Sequence, residues 1–216
     1  MHMCVRPIVL AAGRSSRMGF DKLRTNLGGR PVLAHIVDTI EQAGLPPPHI
    51  VTDADAAELR DILGKRELCQ TRASDARRGM AHSLIAGISA LPQDTRAAII
   101  CLGDMPFVPA SLLQRMAQQA TPSTILVPIS DGRRGNPITW GSDFFPALLN
   151  LSGDTGARSL LEKYRASVVP IHIDDPGIHF DLDTPAALAA AQSQWNQRHD
   201  GLTRLPTKLS DQSPDR

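Results

Sequence analysis

Short apolar runs alternate with longer amphipathic stretches along most of this chain, and this alternation constrains the fold more than any other feature. The apolar runs have the length of strands and cover residues 5–10, 49–52, 97–102 and 124–128. The amphipathic stretches have the length of helices and cover residues 31–43, 54–63, 80–91 and 109–119. Strands joined by helix-length connections build a mainly parallel sheet with helices on both faces. The sequence therefore predicts an α/β fold.

The second half of the chain is less regular but continues the pattern. It predicts strands at 138–140 and 168–173, with helices near 143–149 and 155–164. A last helix is predicted to begin at Pro185, with Thr184 as its N-cap. From Gln197 onward the composition turns polar, which is typical of a poorly ordered tail. We therefore expect one domain over residues 4–196 and a flexible tail over 197–216.

Charge and cysteine content narrow the classes of function. The chain carries 23 Lys and Arg against 22 Asp and Glu, with a net charge of +1, and the two signs are interspersed. Such a surface offers no broad electrostatic footprint for nucleic acid or a membrane, so neither partner is expected. The three cysteines contain no Cys-x-x-Cys pair, which argues against a disulfide framework or a zinc site. No signal peptide or membrane-spanning run is recognised, so a cytoplasmic location is expected.

The loop after the first strand has the composition of a phosphate-binding loop. It reads Leu-Ala-Ala-Gly-Arg-Ser-Ser-Arg-Met-Gly-Phe-Asp-Lys over residues 10–22. Small residues let the backbone approach a ligand, and its N–H groups can face an anion. Arg17 and Lys22 supply two cations. The string is neither a Walker A loop nor a dinucleotide fingerprint, and for its glycines alone an ordinary strand-to-helix turn with solvated cations is an equal alternative.

Two further segments carry aspartates that could bind a metal ion. Asp104 ends an apolar strand, where a carboxylate can hold Mg²⁺ against nucleotide phosphates. Asp181 and Asp183 precede the last helix, and one of them could complete the metal shell opposite Asp104. A simple turn at Gly103-Asp104 and a helix start favoured by Asp183 are the structural alternatives. The histidines are dispersed and predict no transition-metal site.

Together these segments resemble the MobA-like nucleotidyltransferases. The resemblance rests on residues 10–22, on Gly-Asp-Met-Pro at 103–106 and on Asp-Leu-Asp-Thr-Pro at 181–185. Supporting motifs are Arg-Gly-Met-Ala-His-Ser-Leu at 78–84, Arg-Gly-Asn-Pro at 134–137 and Gly-Asp-Thr-Gly-Ala-Arg at 153–158. The similarity covers roughly residues 5–190, in order. It implies a Rossmann-like sheet of the nucleotide-diphospho-sugar transferase type, which moves a nucleoside monophosphate from an NTP to an acceptor phosphate.

The resemblance also implies roles for individual residues. Lys22, Arg17 and Asp104 would be catalytic, and Asp104, Asp181 and Asp183 would hold Mg²⁺. The implied nucleotide-binding residues are Leu10, Ala11, Ala12, Gly13, Arg14, Ser15, Arg17, Lys22, Gly79, Ser83 and Gly103. The implied acceptor-binding residues are Arg134, Gly135, Asn136, Pro137, Asp154 and Arg158.

Within the family, the chain is most similar to the molybdenum cofactor cytidylyltransferases. Guanylyltransferases usually carry Gly-Gly where Ala11-Ala12 stands, and Asn where Asp181 and Asp183 stand. Asn136 departs from the His that is common in cytidylyltransferases. The expected reaction is Mg²⁺-dependent transfer of CMP from CTP to the phosphate of molybdopterin or molybdenum cofactor, with release of pyrophosphate. The alternatives are GTP as donor, a sugar or polyol phosphate as acceptor, or a non-catalytic carrier that delivers the cofactor to a client apo-molybdoenzyme.

Overall fold

The computed structural model describes residues 4–12, 22–73, 79–151 and 157–200. Their strands are β1 (Val5–Leu10), β2 (Asn26–Leu27), β3 (Arg30–Pro31), β4 (His49–Thr52), β5 (Cys69–Arg72), β6 (Ala97–Leu102), β7 (Ile125–Ser130), β8 (Arg133–Arg134), β9 (Ile138–Gly141) and β10 (Val168–His172). Their α-helices are α1 (Val32–Gln42), α2 (Ala56–Leu63), α3 (Met80–Ser89), α4 (Ala110–Gln119), α5 (Phe145–Leu149), α6 (Arg158–Lys163) and α7 (Pro185–Asp200).

The main sheet has the order β10-β7-β9-β6-β1-β4-β5, with β8 added on β7. β1 lies in its centre and pairs in parallel with β6 and β4, and β4 pairs in parallel with β5. β9 runs antiparallel to both of its neighbours, β6 and β7. The mainly parallel α/β fold is thus confirmed, with two reversed strands, β9 and the two-residue β8, that the apolar pattern did not predict. β2 and β3 form a separate small hairpin.

Two hydrophobic layers cover the faces of the sheet. One packs α1, α2 and α4 against side chains such as Val9, Ile99 and Leu126. The other packs α3, α5 and α6 against the opposite face, with Ile8 and the fully buried Trp140 among its members. Because successive side chains of a strand point to opposite faces, Ile8 and Val9 serve different layers. Helices on both faces were predicted and are confirmed.

A third, smaller cluster lies beside the main sheet and is called the C-terminal cluster below. Its buried members are Leu27, Val32, Phe107, Leu182 and Ala191. They come from the β2–β3 hairpin, the first residue of α1, the loop after β6, the segment before α7 and α7 itself. The cluster therefore joins the C-terminal helix to the β2–β3 hairpin and to the loop that follows β6.

Most differences from the predicted boundaries are small and have a local cause. The helices predicted from Pro31 and Pro109 begin one residue later, with these prolines as N-caps in extended conformation. The helix predicted from residue 54 begins at Ala56, because Asp55 and Glu58 form a capping box. The segment predicted as one helix near 143–149 is a 3₁₀ turn over Ser142–Phe144 followed by α5. α7 continues to Asp200, so the predicted boundary at Gln197 falls within a helix.

Among the described residues, no helix combines the length and the apolar content needed to cross a membrane.

Candidate active site

The carboxyl ends of β1 and β6 meet in the middle of the main sheet. The Gly103 amide donates to the Leu10 carbonyl at 2.9 Å, and the Ala11 amide donates to the Val51 carbonyl at 2.7 Å. A Cβ atom on Gly103 would lie 3.2 Å from the Leu10 oxygen and 3.4 Å from the Ala11 Cβ, so a glycine lets these two loops touch. The predicted adjacency of the loops after β1 and β6 is confirmed.

Lys22 lies between two carboxylates at this edge. Its Nζ donates to Asp104 Oδ2 at 2.5 Å and to Asp183 Oδ1 at 2.7 Å. The side chains of Lys22 and Asp104 are only 12% and 15% exposed, whereas that of Asp183 is 47% exposed. Partial burial reduces screening of the Lys22–Asp104 pair by water. Three predicted site residues, distant in the chain, are thus brought into direct contact.

Burial and neighbouring charges shift the pKa values of Lys22 and Asp181. Burial, the largest single influence, lowers the pKa of Lys22, but the attraction of Asp104 and Asp183 outweighs it and the net pKa is raised. Burial raises the pKa of Asp181, and repulsion from Asp183 and Asp104 raises it further. Lys22 therefore stays charged, and a cation bound beside Asp181 would relieve the repulsion that raises the pKa of this carboxyl.

The backbone sets the position of the acidic pair. The Leu182 amide, which lies between Asp181 and Asp183, donates to the Asp104 carbonyl at 3.1 Å. Leu182 is fully buried, so its neighbours in the sequence are fixed beside Asp104. The Thr184 hydroxyl then accepts from the Ala187 amide at 3.1 Å, which confirms the predicted cap of α7.

The donor set of this edge fits a hard divalent cation. Asp104 and Asp183 reach one common Nζ atom, so both carboxylates lie within reach of one ion. Among the described residues, no three His, Cys, Asp or Glu side chains form a ready-made metal cage. Mg²⁺ is commonly held by one or two carboxylates together with water and substrate phosphates. Two carboxylates that need phosphate oxygens to complete the shell match that pattern.

The predicted base-binding residues lie at the start of α3. Gly79 is the N-cap of this helix and has a φ of +116°, a conformation that favours glycine. Ser83 follows one turn later and is buried at 6% exposure. Gly13, Arg14, Ser15 and Arg17, which were predicted to bind the triphosphate, lie outside the described residues. So does Asp154 of the predicted acceptor site.

The predicted acceptor residues 134–137 are held by the turn at Pro176–His179. The Gly135 amide donates to the Pro128 carbonyl at 2.9 Å, and the Asn136 amide donates to the Ile178 carbonyl at 3.0 Å. A Cβ on Gly135 would lie 2.6 Å from the same Ile178 oxygen. The peptide bond between Asn136 and Pro137 is cis. This loop and the acidic pair are therefore linked through one short segment.

The two predicted acceptor arginines are both exposed. Arg134 donates to Glu162 Oε1 at 3.0 Å, and Arg158 is the first residue of α6. Sequence reasoning missed the contribution of Ile178 and Leu182, which hold the loop and the acidic pair through backbone bonds. Their apolar side chains carry no chemical motif. The one signal in the sequence was their position, since Leu182 lies between Asp181 and Asp183 and Ile178 lies shortly before them.

Comparison with known proteins supports the geometry. The family model described as MobA-like NTP transferase domain matches residues 7–168. A molybdenum cofactor guanylyltransferase of Rhizobium johnstonii is 30% identical over 201 residues, covering 87% of this chain and 91% of that protein. The purine catabolism protein PucB of Bacillus subtilis is 30% identical over 191 residues, covering 82% of this chain and 91% of that protein.

Solved structures agree with the fold. The Mycobacterium tuberculosis protein Rv0371c superposes with a TM-score of 0.81 at 25% identity, covering 89% of this chain and 99% of that chain. A nucleotidyl transferase from Methanothermobacter superposes with a TM-score of 0.78 at 21% identity, covering 90% of this chain and 98% of that chain. A manganese complex of Rv0371c is also similar, with a TM-score of 0.77 at 23% identity and coverage of 89% of this chain and 100% of that chain.

Proposed function

Since the chain belongs to the MobA-like NTP transferase domain family and is a nucleotidyltransferase, we propose that it moves CMP from CTP to the phosphate of molybdopterin or molybdenum cofactor. An oxygen of the acceptor phosphate attacks the α-phosphorus of CTP. The bond from that phosphorus to the bridging oxygen breaks, and pyrophosphate leaves with the electron pair. The acceptor is already ionised, so the step needs no general base.

One observation carries the proposal, namely the contact of Lys22 with Asp104 and Asp183 at the carboxyl ends of the central strands. In such a reaction catalysis is mostly positioning and charge neutralisation. Lys22 would neutralise charge on the phosphates, with Arg17 as a second cation and the loop residues Gly13, Arg14 and Ser15 as donors. Asp104 would hold Mg²⁺ together with one of Asp181 and Asp183, and phosphate oxygens and water would complete the shell.

Cytidine is proposed as the base because of two features that the family resemblance links to it. The first is the Ala11-Ala12 pair, both buried, whose methyl groups occupy space that two glycines would leave open. The second is the pair of aspartates at 181 and 183. Gly79 and Ser83 would lie beside the base, and the loop 134–137 with Asp154 and Arg158 would face the acceptor.

A guanylyl version is the second candidate, and a specific observation favours it. The relative that is 30% identical over nine-tenths of its own length is named a molybdenum cofactor guanylyltransferase. PucB, at the same identity, is named a purine catabolism protein and not for the molybdenum cofactor. The donor and the acceptor must therefore be tested separately.

The deciding experiment is pyrophosphate release with molybdopterin cofactor, Mg²⁺ and each NTP in turn, followed by mass measurement of the product. We expect CTP to give many turnovers and a cytidine dinucleotide of the cofactor. Release with GTP but not CTP would replace the cytidyl assignment by the guanylyl one. Release with a sugar or polyol phosphate alone would replace the acceptor. Stoichiometric cofactor binding without turnover would instead indicate a carrier for a client apo-molybdoenzyme.

We propose the cytoplasm as the location of this reaction. Cys4, Cys69 and Cys101 are all free thiols, and Cys69 is exposed, which suits a reducing compartment.

A further inference from the structure

Helix α7 begins two residues after Asp183 and packs against the β2–β3 hairpin that follows Lys22. The ion pair of Lys22 and Asp183 joins residues 161 positions apart. The family match ends at residue 168, so α7 and the segment before it lie beyond the matched range. Contacts of α7 and of the segment before it hold these two charges 2.7 Å apart, although they lie far apart in the sequence.

The Asp183 arm is held by Leu182. This side chain is fully buried in the C-terminal cluster, where Ala191 of α7, Leu27 of β2 and Phe107 of the loop after β6 are its fellow members. Its amide donates to Asp104. Burial of a leucine side chain stabilises a fold more than an exposed ion pair does, so Leu182 is the stronger anchor of this segment. Leu182 therefore fixes the backbone position of Asp183.

On the Lys22 side, the next residue in the chain is tied to α1, and the β2–β3 hairpin that follows packs against Trp195. The Leu33 amide donates to the Leu23 carbonyl at 3.1 Å, which ties the residue after Lys22 to α1. Trp195 of α7 lies directly over Gly28 of the hairpin, because a Cβ on Gly28 would fall 2.0 Å from the indole Nε1. The indole also packs edge-on against His35 of α1, with ring centroids 4.5 Å apart.

The far end of α7 is fixed as well. The Arg198 guanidinium lies 5.0 Å from the centre of the Phe107 ring and donates to Asp175 Oδ1 at 3.1 Å. A cation over an aromatic ring and a charge-assisted hydrogen bond both favour one orientation of the helix. Together with the Trp195 contact they prevent α7 from sliding along the hairpin.

We infer that α7 acts as a clamp on the catalytic edge, with Leu182 and Trp195 as positioning residues that set Lys22 and Asp183 against Asp104. The inference rests on the proposed function only where it gives Lys22, Asp183 and Asp104 a part in catalysis. The clamp itself is a claim about how the charges are placed, and it is measurable without substrate.

The first test compares Gly28→Ala with Gly29→Ala by hydrogen exchange. Both glycines have positive φ, +58° and +86°, so both substitutions carry backbone strain. Only at Gly28 does the new methyl group strike Trp195, since nothing lies within 4 Å of a Cβ on Gly29. We expect the Leu182 amide to exchange about tenfold faster in Gly28→Ala than in Gly29→Ala. Equal exchange would overturn the inference. Should Gly28→Ala fail to fold, Trp195→Phe against Trp140→Phe gives the same comparison.

The second test compares Leu182→Ala with Leu148→Ala, two fully buried leucines in different clusters. Both should lose stability, but only Leu182→Ala should weaken Mn²⁺ binding, by about tenfold, and raise the KM for the metal–nucleotide complex more than it lowers kcat. Leu182→Met should restore Mn²⁺ affinity, because it conserves the volume. Equal Mn²⁺ affinities in the two alanine variants would contradict a positioning role.

The two tests separate this inference from the proposed function. If the parent protein binds no Mn²⁺ and releases no pyrophosphate, the proposed function fails, and the hydrogen-exchange comparison still decides whether α7 is a clamp. If the parent protein is active but Gly28→Ala and Gly29→Ala exchange alike, the clamp fails and the proposed function stands.

Discussion

The ammonium nitrogen of Lys22 lies 2.5 Å from a carboxylate oxygen of Asp104, although 82 positions separate the two residues. The pair sits where β1 and β6 end, beside the loop that carries the predicted phosphate-binding residues. Because the ammonium group of Lys22 is held in place before substrate binds, little reorganisation is needed when charge develops on a phosphate. The same contact also keeps the charge of Asp104 compensated in the absence of a metal ion.

Replacing Lys22 by methionine should abolish most of the activity. The side chain keeps a similar length but loses its charge, so pyrophosphate release should fall by about a hundredfold or more. The measurement is the initial rate at saturating NTP and Mg²⁺, with circular dichroism to verify folding. Lys65→Met, at an exposed position, serves as the matched control. A Lys22→Met rate within about twofold of the parent would remove the catalytic role of this lysine.

Replacing Asp181 by asparagine should stabilise the metal-free protein near neutral pH. The raised pKa of Asp181 means that the folded state holds this proton more tightly than the unfolded state, so ionisation above the ordinary value of 3.8 costs stability. Asp181→Asn should therefore unfold at a higher temperature than the parent at pH 7 in a chelator. The difference should vanish as the pH falls below 3.8.

The control for Asp181→Asn is Asp94→Asn, at an exposed position before β6. A lower unfolding temperature for Asp181→Asn than for Asp94→Asn at pH 7 would show that Asp181 is not repelled by its neighbours.

His35 should make the protein sensitive to mild acid. Burial lowers the pKa of His35 by more than the hydrogen bond from its Nε2–H to the Leu27 carbonyl, 2.9 Å long, raises it, so the folded state favours the neutral ring. As the pH falls below the ordinary value of 6.5, the unfolded chain takes up a proton that the folded chain does not, and stability is lost. Urea unfolding at pH 7 and pH 5 should show a smaller loss in His35→Gln than in the parent.

His172→Gln provides the comparison for His35, because His172 is exposed on β10. It should keep the full acid sensitivity of the parent. An unchanged pH dependence in His35→Gln would place the acid-sensitive group elsewhere.

A methyl group at Gly135 should disturb acceptor binding selectively. The new Cβ would meet the Ile178 carbonyl at 2.6 Å, which forces the loop 134–137 away from the segment before Asp181. We expect the KM for the acceptor to rise about tenfold in Gly135→Ala, with a smaller effect on the KM for the NTP. Gly132→Ala is the control for a disturbed backbone in the same turn, since its φ of +71° strains any side chain but nothing lies within 4 Å of its Cβ. An equal rise in both KM values would argue against a separate acceptor site.

The sequence predicted the central strands best because burial leaves the clearest pattern. β1, β4 and β6 have the predicted bounds, and each is a run of mostly apolar residues inside the sheet. β5 was missed, since Cys69–Arg72 is a largely polar edge strand that pairs with β4 alone. The reversed direction of β9 was also missed, because an apolar run has the same composition in either direction.

The sequence predicted the part of the site that lies at the ends of parallel strands. It did not predict the part that depends on packing between segments far apart in the chain. That the loops after Leu10 and Leu102 meet follows from the rule that parallel strands present their carboxyl ends at one edge. The contact of Lys22 with Asp183 does not, because it requires α7 to return to the β2–β3 hairpin. No local spacing encodes that return. The roles of all the predicted site residues remain predictions, and Gly13, Arg14, Ser15, Arg17 and Asp154 also lie outside the described residues.

The reversed strand β9 has a consequence for how this enzyme family can diversify. β7 ends at the catalytic edge, and β9 begins at the same edge, so the chain between them stays there and no helix is needed to bring it back. Its exposed residues, among them Asp131, Arg133 and Arg134, can be exchanged at little cost to the core, whereas Gly135 and Pro137 are buried. On the proposed function, exchange of these exposed residues should change the acceptor preference and leave the contact of Lys22 with Asp104 and Asp183 intact.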